Sequence, residues 1–223
     1  RRLVYDRREI LSLTGLIIVG ALVGAKLFDI LFALPSYLEN FSFPESLTGS
    51  GLMFYGGVIG ALGIFVLYCR SRGMETLSWL DLFAPGLALG QAFGRLGCFL
   101  AGCCYGAPTS CAFGVVFDHP DNHVTPLGIP LHPTQLYESA FALILCLILV
   151  LLFLKRRPRT PGGLMAIYLA SYAVFRFAIE FLRADPRGEL LFGLLTASQA
   201  VSLGMLALAA SIFLRRPRST GRP

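Results

Sequence analysis

The chain has 223 residues, 55% of them hydrophobic and 14% charged, which is too apolar for an ordinary water-soluble domain. Its formal charge of +6 would suit a nucleic-acid binder in a soluble setting. Here the basic residues stand in short segments between long apolar runs, so membrane topology accounts for them and nucleic acid is excluded as a partner.

Six apolar runs follow one another along the chain: Leu11–Leu34, Gly51–Tyr68, Leu80–Tyr105, Thr134–Leu154, Gly163–Leu182 and Gln199–Leu214. Each is close to the roughly 20 residues that a helix needs to cross the hydrocarbon core. The third carries Pro85 and several glycines, residues that can kink a helix, and is the least clearly defined of the six. The predicted fold is therefore all-α, a polytopic membrane bundle of about six transmembrane helices forming one domain over residues 1–223. The chain opens on Arg1, Arg2, Arg7 and Arg8 without a starting Met, so a trimmed N-terminus and a missing first helix are expected.

Loop charge sets the orientation. With the N-terminus in the cytoplasm, the inner segments hold 14 of the 19 basic residues, at Arg1, Arg2, Arg7, Arg8, Arg70, Arg72, Lys155, Arg156, Arg157, Arg159, Arg215, Arg216, Arg218 and Arg222. The outer segments carry Glu39, Glu45, Asp118, Asp121, Asp185 and Glu189. Both ends are then cytoplasmic. Glycines recur every four residues, at Gly20 and Gly24, at Gly56 and Gly60, and at Gly86, Gly90 and Gly94. They predict small helix faces that let backbones pack closely.

Ionisable side chains within spans cost roughly 2.5–3.5 kcal/mol each near a helix centre, so they pair and face inward. Lys26, Asp29, Arg95, Glu138, Arg176 and Glu180 lie in the outer halves of their runs, with Tyr55, His132, Gln135, Tyr137, Ser198 and Gln199 at similar depth. Asp81 is the exception, at the inner end of the third run. This clustering at one depth predicts a functional site near the outer face. Tyr172, Arg176, Glu180 and Arg183 are spaced to share one helix face, with Glu180 placed to accept from both arginines. Adding Arg95 leaves a positive surplus suited to an anionic head group, because the guanidinium matches phosphate with a two-pronged geometry. The bland alternative is a buried ion network that only fixes helix packing. Thr134 is expected to cap its helix. His132 is either a base or an interfacial hydrogen-bonding residue.

There are six cysteines. Cys69 and Cys146 read as small core hydrophobes. Cys98, Cys103, Cys104 and Cys111 cluster near the outer face, where a disulfide, a reactive thiol or, with His119 and His123, a metal are all open. Their spacing matches no familiar zinc pattern, so no metal is assigned.

At these residues the chain resembles the prolipoprotein diacylglyceryl transferase family, over most of its length from about Gly20 to about Leu214. Phe54-Tyr55-Gly56-Gly57-Val58-Ile59-Gly60 is similar to the family's H-G-G-hydrophobic-I-G segment. Gly94-Arg95-Leu96-Gly97-Cys98-Phe99 resembles its G-R-x-G-N-F signature. His132-Pro133-Thr134-Gln135-Leu136-Tyr137-Glu138 resembles H-P-[ST]-Q-L-Y-E, and Phe175-Arg176 through Arg183 resembles F-R-x-x-x-E-F-x-R. Asp81 to Pro85 and Ser198 to Ser202 agree as well.

The resemblance implies transfer of a diacylglyceryl group from phosphatidylglycerol to the cysteine thiol of a prolipoprotein lipobox peptide. The product is a thioether and glycerol phosphate leaves. The implied setting is the outer leaflet of a bacterial inner membrane, with the lipid bilayer as partner and no cofactor. The implied roles are phospholipid binding by Arg95, Tyr172, Arg176, Arg183 and Lys26, and catalysis by Tyr55, Arg95, Arg176, Glu180 and His132. The chain departs from the pattern in four places. The family's His before Gly-Gly is Tyr55, its signature Asn is Cys98, a following Glu is Cys103, and an Arg in the first shared span is Lys26. Because an unperturbed Tyr titrates near ~10, Tyr55 is a poorer base than a His. Two alternatives stand beside this reading: a phospholipid-dependent transferase of the same fold with another acceptor, and a membrane thiol-redox or lipid-binding protein.

Overall fold

A computed structural model of the chain describes residues 6–32, 54–117, 126, 128–155, 160–184, 189–190 and 195–214. His119, His123 and most of the loop charges that set the expected orientation (Arg1, Arg2, Glu39, Glu45, Asp118, Asp121, Arg156, Arg157, Arg159, Asp185 and residues 215–222 among them) lie outside the described residues. Six α-helices are described: α1 (Arg7–Phe32), α2 (Phe54–Ser71), α3 (Thr76–Leu100), α4 (Thr134–Leu154), α5 (Gly163–Ile179) and α6 (Ala197–Leu214). A 3-10 turn, Glu180–Leu182, extends α5, and a two-residue antiparallel pair, β1 (Glu189–Leu190) and β2 (Leu195–Thr196), leads into α6. Four helices, Arg7–Leu31, Thr134–Leu154, Gly163–Leu182 and Ala197–Leu214, are long and apolar enough to cross a membrane. Tyr55–Ser71 is apolar but shorter. The 25-residue α3, which carries Asp81, Gln91 and Arg95, is not among the four. The chain is an all-α polytopic membrane protein.

The structure divides into two compact units, Arg1–Thr76 and Leu77–Pro223. In the first, α1 and α2 pack through their glycines. A Cβ at Gly24 or Gly56 would run into the other's carbonyl oxygen, and one at Gly60 into that of Gly20. This is the small-residue face that the four-residue spacing predicts, and it brings backbones together in lipid, where no hydrophobic force does so. Leu13 and Cys69 are fully buried there, and Tyr68 donates to Glu9.

In the second unit, Ala84 and Ala88 of α3, Leu145 and Leu149 of α4, and Leu164 and Met165 of α5 form the core. Ala166 of α5 meets Ala209 and Ile212 of α6. Asp81 has a structural explanation. Its Oδ2 accepts from the Gly162 amide at 2.8 Å and its Oδ1 from that of Met165 at 2.9 Å, so one carboxylate of α3 satisfies the orphan N–H groups that open α5. Gly162 holds φ +83, a left-handed conformation open to glycine at no steric cost.

Two expectations are corrected. The third span ends at Leu100, not Tyr105, because Gly102 and Cys104 adopt φ of 65° and 63° and turn the chain out of the helix. Among the described residues the glycines at 86, 90 and 94 do not form a packed face, since a Cβ at any of them meets nothing within 4 Å. Pro85 lies inside the helix.

Candidate active site

The polar residues of α3, α4 and α5 meet around one carboxylate. Ser139 Oγ donates to the Ala92 carbonyl at 3.0 Å, which registers the first turns of α4 against the last turns of α3. That register sets Arg95 beside Glu138. Arg95 Nε stands 2.9 Å from Glu138 Oε2, an ion pair by distance. The N–H does not line up with that oxygen, which therefore has no true hydrogen bond. Arg183 Nη1 donates to the other oxygen, Oε1, at 3.0 Å. The Glu138 and Arg183 side chains are 1% and 2% exposed, against 19% for Arg95. Two guanidiniums share this one carboxylate, and Arg95 is the more open of the two. The phenol of Tyr172 lies close to the Arg95 guanidinium.

A second cluster sits one turn further along α5. Arg176 Nη1 donates to Glu180 Oε2 at 2.6 Å, and its Nη2 donates to Ser198 Oγ at 2.8 Å. Thr196 Oγ1 donates to Glu180 Oε1 at 2.8 Å, and Gln199 Oε1 accepts from the Thr196 amide at 3.0 Å. The start of α6 is thus tied to the end of α5 through charged hydrogen bonds, the stronger kind. Tyr172 and Arg176, four residues apart on α5, share the face to which Arg95 comes. Glu180 holds Arg176, while Arg183 lies beyond the 3-10 turn in extended backbone and reaches Glu138 on another helix.

Loop segments close over these helix ends. Gly106 donates to the His132 carbonyl at 2.9 Å, Ala107 donates to the Leu182 carbonyl at 2.8 Å, and the His132 amide donates to the Ala107 carbonyl at 3.0 Å. A Cβ at Gly106 would lie 2.7 Å from both His132 Cβ and the Leu182 carbonyl oxygen, so only glycine admits this crossing. His132 Nδ1 lies 3.4 Å from the Tyr137 hydroxyl. Thr134 does not cap α4. Pro133 takes the cap position without a side-chain bond, and Thr134 Oγ1 instead donates to the Cys104 carbonyl at 2.8 Å. Gln135 Nε2 donates to the Cys103 carbonyl at 2.6 Å, leaving its buried Oε1 without a partner.

Those bonds hold a turn bearing thiols. All six cysteines are free, and the sulfurs of Cys98, Cys103 and Cys104 lie within 4.8 Å of one another. Burial pushes the Cys103 thiol up to about 12, helped by its two sulfur neighbours. Burial also pushes Cys104 up, but hydrogen bonding to Arg183 and the charges of Arg183 and Arg95 outweigh it and leave that thiol below its ordinary value.

Of the expected site residues, Arg95, Tyr172, Arg176, Glu180, Arg183 and His132 all belong to the second unit. Lys26 and Tyr55 belong to the first. There Lys26 Nζ pairs with Asp29 Oδ2 at 3.2 Å, and Tyr55 is exposed at the start of α2. Sequence reasoning placed Glu138 in a span without seeing that it joins two arginines, although the H-P-T-Q-L-Y-E segment ends on it. Thr196 carried no signal at all.

The profile of the prolipoprotein diacylglyceryl transferase family matches residues 1–215. A phosphatidylglycerol–prolipoprotein diacylglyceryl transferase of Clostridium tetani is 38% identical over 211 residues, covering 94% of this chain and 81% of the relative. A second such transferase, from Clostridium perfringens, is 38% identical over 203 residues, covering 91% and 77%. One from Dehalococcoides mccartyi is 36% identical over 216 residues, covering 96% and 78%. With its arginines and carboxylates joined across α3, α4 and α5, the chain belongs to the prolipoprotein diacylglyceryl transferase family.

Proposed function

We propose that this chain transfers a diacylglyceryl group from phosphatidylglycerol to the lipobox cysteine of prolipoproteins, at the outer leaflet of a bacterial inner membrane. The observation that carries the reading is Arg95, a partly open guanidinium joined to the buried Arg183 through the carboxylate of Glu138. A guanidinium fixed in this way and still open on one side matches the two-pronged geometry of a lipid phosphate.

In the reaction the cysteine sulfur attacks the glyceryl carbon that bears the phosphate. The new S–C bond forms as the C–O bond breaks, and the electron pair leaves on glycerol phosphate. Arg95 binds the phosphate and stabilises the charge that grows on the leaving oxygen. Arg176, buried and fixed by Glu180 and Ser198, adds a positive field from the same face of α5. Tyr172 and Arg183 orient Arg95 and Glu138. The thiol proton passes to the imidazole of His132, whose ring is placed by the contact of Nδ1 with the Tyr137 hydroxyl.

The test is an assay of membranes holding the full chain, with labelled phosphatidylglycerol and a lipobox peptide. The expected result is a labelled thioether on the peptide cysteine. No transfer, while another family member succeeds alongside, overturns the reading. A second reading, the same fold with another acceptor, rests on Tyr55, Cys98 and Cys103 standing where the family pattern has His, Asn and Glu. Phosphatidylglycerol consumed without peptide product would mark it.

A further inference from the structure

We propose that Cys98, Cys103 and Cys104 form a three-thiolate site for a divalent, thiophilic d10 cation of the zinc class, set against the Arg95–Glu138–Arg183 network. The inference goes beyond lipid transfer and needs none of it. Its first support is geometric. Three sulfurs already lie within 4.8 Å of one another, although the spacing of one cysteine followed five residues later by an adjacent pair is not a familiar zinc pattern. On a tetrahedral ion with metal–sulfur bonds of about 2.3 Å, sulfurs stand roughly 3.8 Å apart. Side-chain rotation covers the remaining distance.

The second support is how the turn is held. Cys104 is the one non-glycine residue with positive φ among the described residues, at 63°. That conformation is unfavourable for a side chain and persists where surroundings impose it. Here Thr134 and Gln135 impose it, through bonds to the Cys104 and Cys103 carbonyls of 2.8 and 2.6 Å. Both come from the first turn of α4, four and three residues before Glu138. The sulfurs are therefore arranged by rigid elements, as ligands in a preorganised site are. The amide of Gln135 that holds Cys103 also leaves Oε1 fully buried and unpartnered beside the same turn, an acceptor that a metal-bound water would satisfy.

The third support is ligand chemistry. Thiolate ligands select soft d10 ions over magnesium or calcium, and three of them leave a divalent cation closer to neutral than a monovalent one. Three protein ligands leave a fourth position to water. Binding displaces the thiol protons to solvent and changes no oxidation state.

The test uses the full chain without an affinity tag, in detergent, metal-free and reduced with a phosphine, its six free thiols confirmed by titration. Cadmium is added as a probe with an ultraviolet thiolate charge-transfer band, and zinc as its competitor. The band is expected to saturate at one equivalent and to be reversed by zinc. Zinc should also protect Cys98, Cys103 and Cys104, but not Cys111, from alkylation mapped by mass spectrometry, a readout that needs no variant. Cys98→Ser, Cys103→Ser and Cys104→Ser should each weaken cadmium binding by about 10-fold or more, while Cys111→Ser leaves it unchanged. No band and no protection in the fully reduced protein overturns the proposal. So does a band that survives the three substitutions together.

Discussion

Arg183 Nη1 donates to Glu138 Oε1 over 3.0 Å, tying the end of α5 to the start of α4 across 45 residues of sequence. Because the same carboxylate also faces Arg95, removing it takes the shared anionic partner from two guanidiniums, one of them almost wholly buried. Breaking a buried pair by deleting one partner costs about 3–5 kcal/mol. Glu138→Ala should therefore lower the thermal midpoint of the detergent-solubilised protein clearly and abolish transfer. Glu138→Gln keeps the shape and should fall between. An unchanged midpoint in the alanine variant would mean that the carboxylate is not what holds these helix ends together.

Arg95 and Arg176 should separate binding from stability. Lysine keeps the charge but loses the two-pronged geometry. Arg95 is the open one and its pairing is misaligned, so Arg95→Lys should cut turnover of labelled phosphatidylglycerol by about 10²–10³-fold while barely moving the midpoint. Arg176 is buried and bonds both Glu180 and Ser198, so Arg176→Lys should lower the midpoint as well as the rate. Equal losses of stability in both variants would contradict this division.

Why some of this was legible and some not follows from the physics of each signal. Helix positions came from apolar runs, and α4 matches its expected span at both ends, because the cost of burying polar groups in lipid acts residue by residue along the chain. The end of α3 was misplaced because hydropathy is blind to the positive φ of Gly102 and Cys104. Arg176 with Glu180 could be read from a four-residue spacing. Arg183 with Glu138, Thr196 with Glu180 and Thr134 with the Cys104 carbonyl could not, since each depends on which helix ends meet in space. That four cysteines gather near one face could be read from the chain, but not that Cys98, Cys103 and Cys104 are the three that meet, because the turn that brings them together is set by bonds from α4, 30 or more residues further on.

Asp81 gives a prediction about folding alone. Its two oxygens take up the Gly162 and Met165 amides at the start of α5. Losing a capping carboxylate typically costs about 1 kcal/mol, up to about 2. Asp81→Ala should lower the thermal midpoint, whereas transfer per folded molecule should stay near that of the parent. Loss of activity in fully folded Asp81→Ala protein would place this residue in the chemistry instead.

The glycines of α2 and α3 should respond in opposite directions to the same change. A Cβ at Gly60 would collide with the Gly20 carbonyl of α1, so Gly60→Ala has to push two packed backbones apart. Overpacking of this kind costs about 1–3 kcal/mol. At Gly90 a Cβ meets nothing within 4 Å, so Gly90→Ala adds only helix propensity, a gain of up to about 1 kcal/mol. Thermal midpoints of the two variants should therefore fall on either side of the parent's. If both fall below it, the Gly90 face of α3 is in contact with something that these helices bring to it in the membrane.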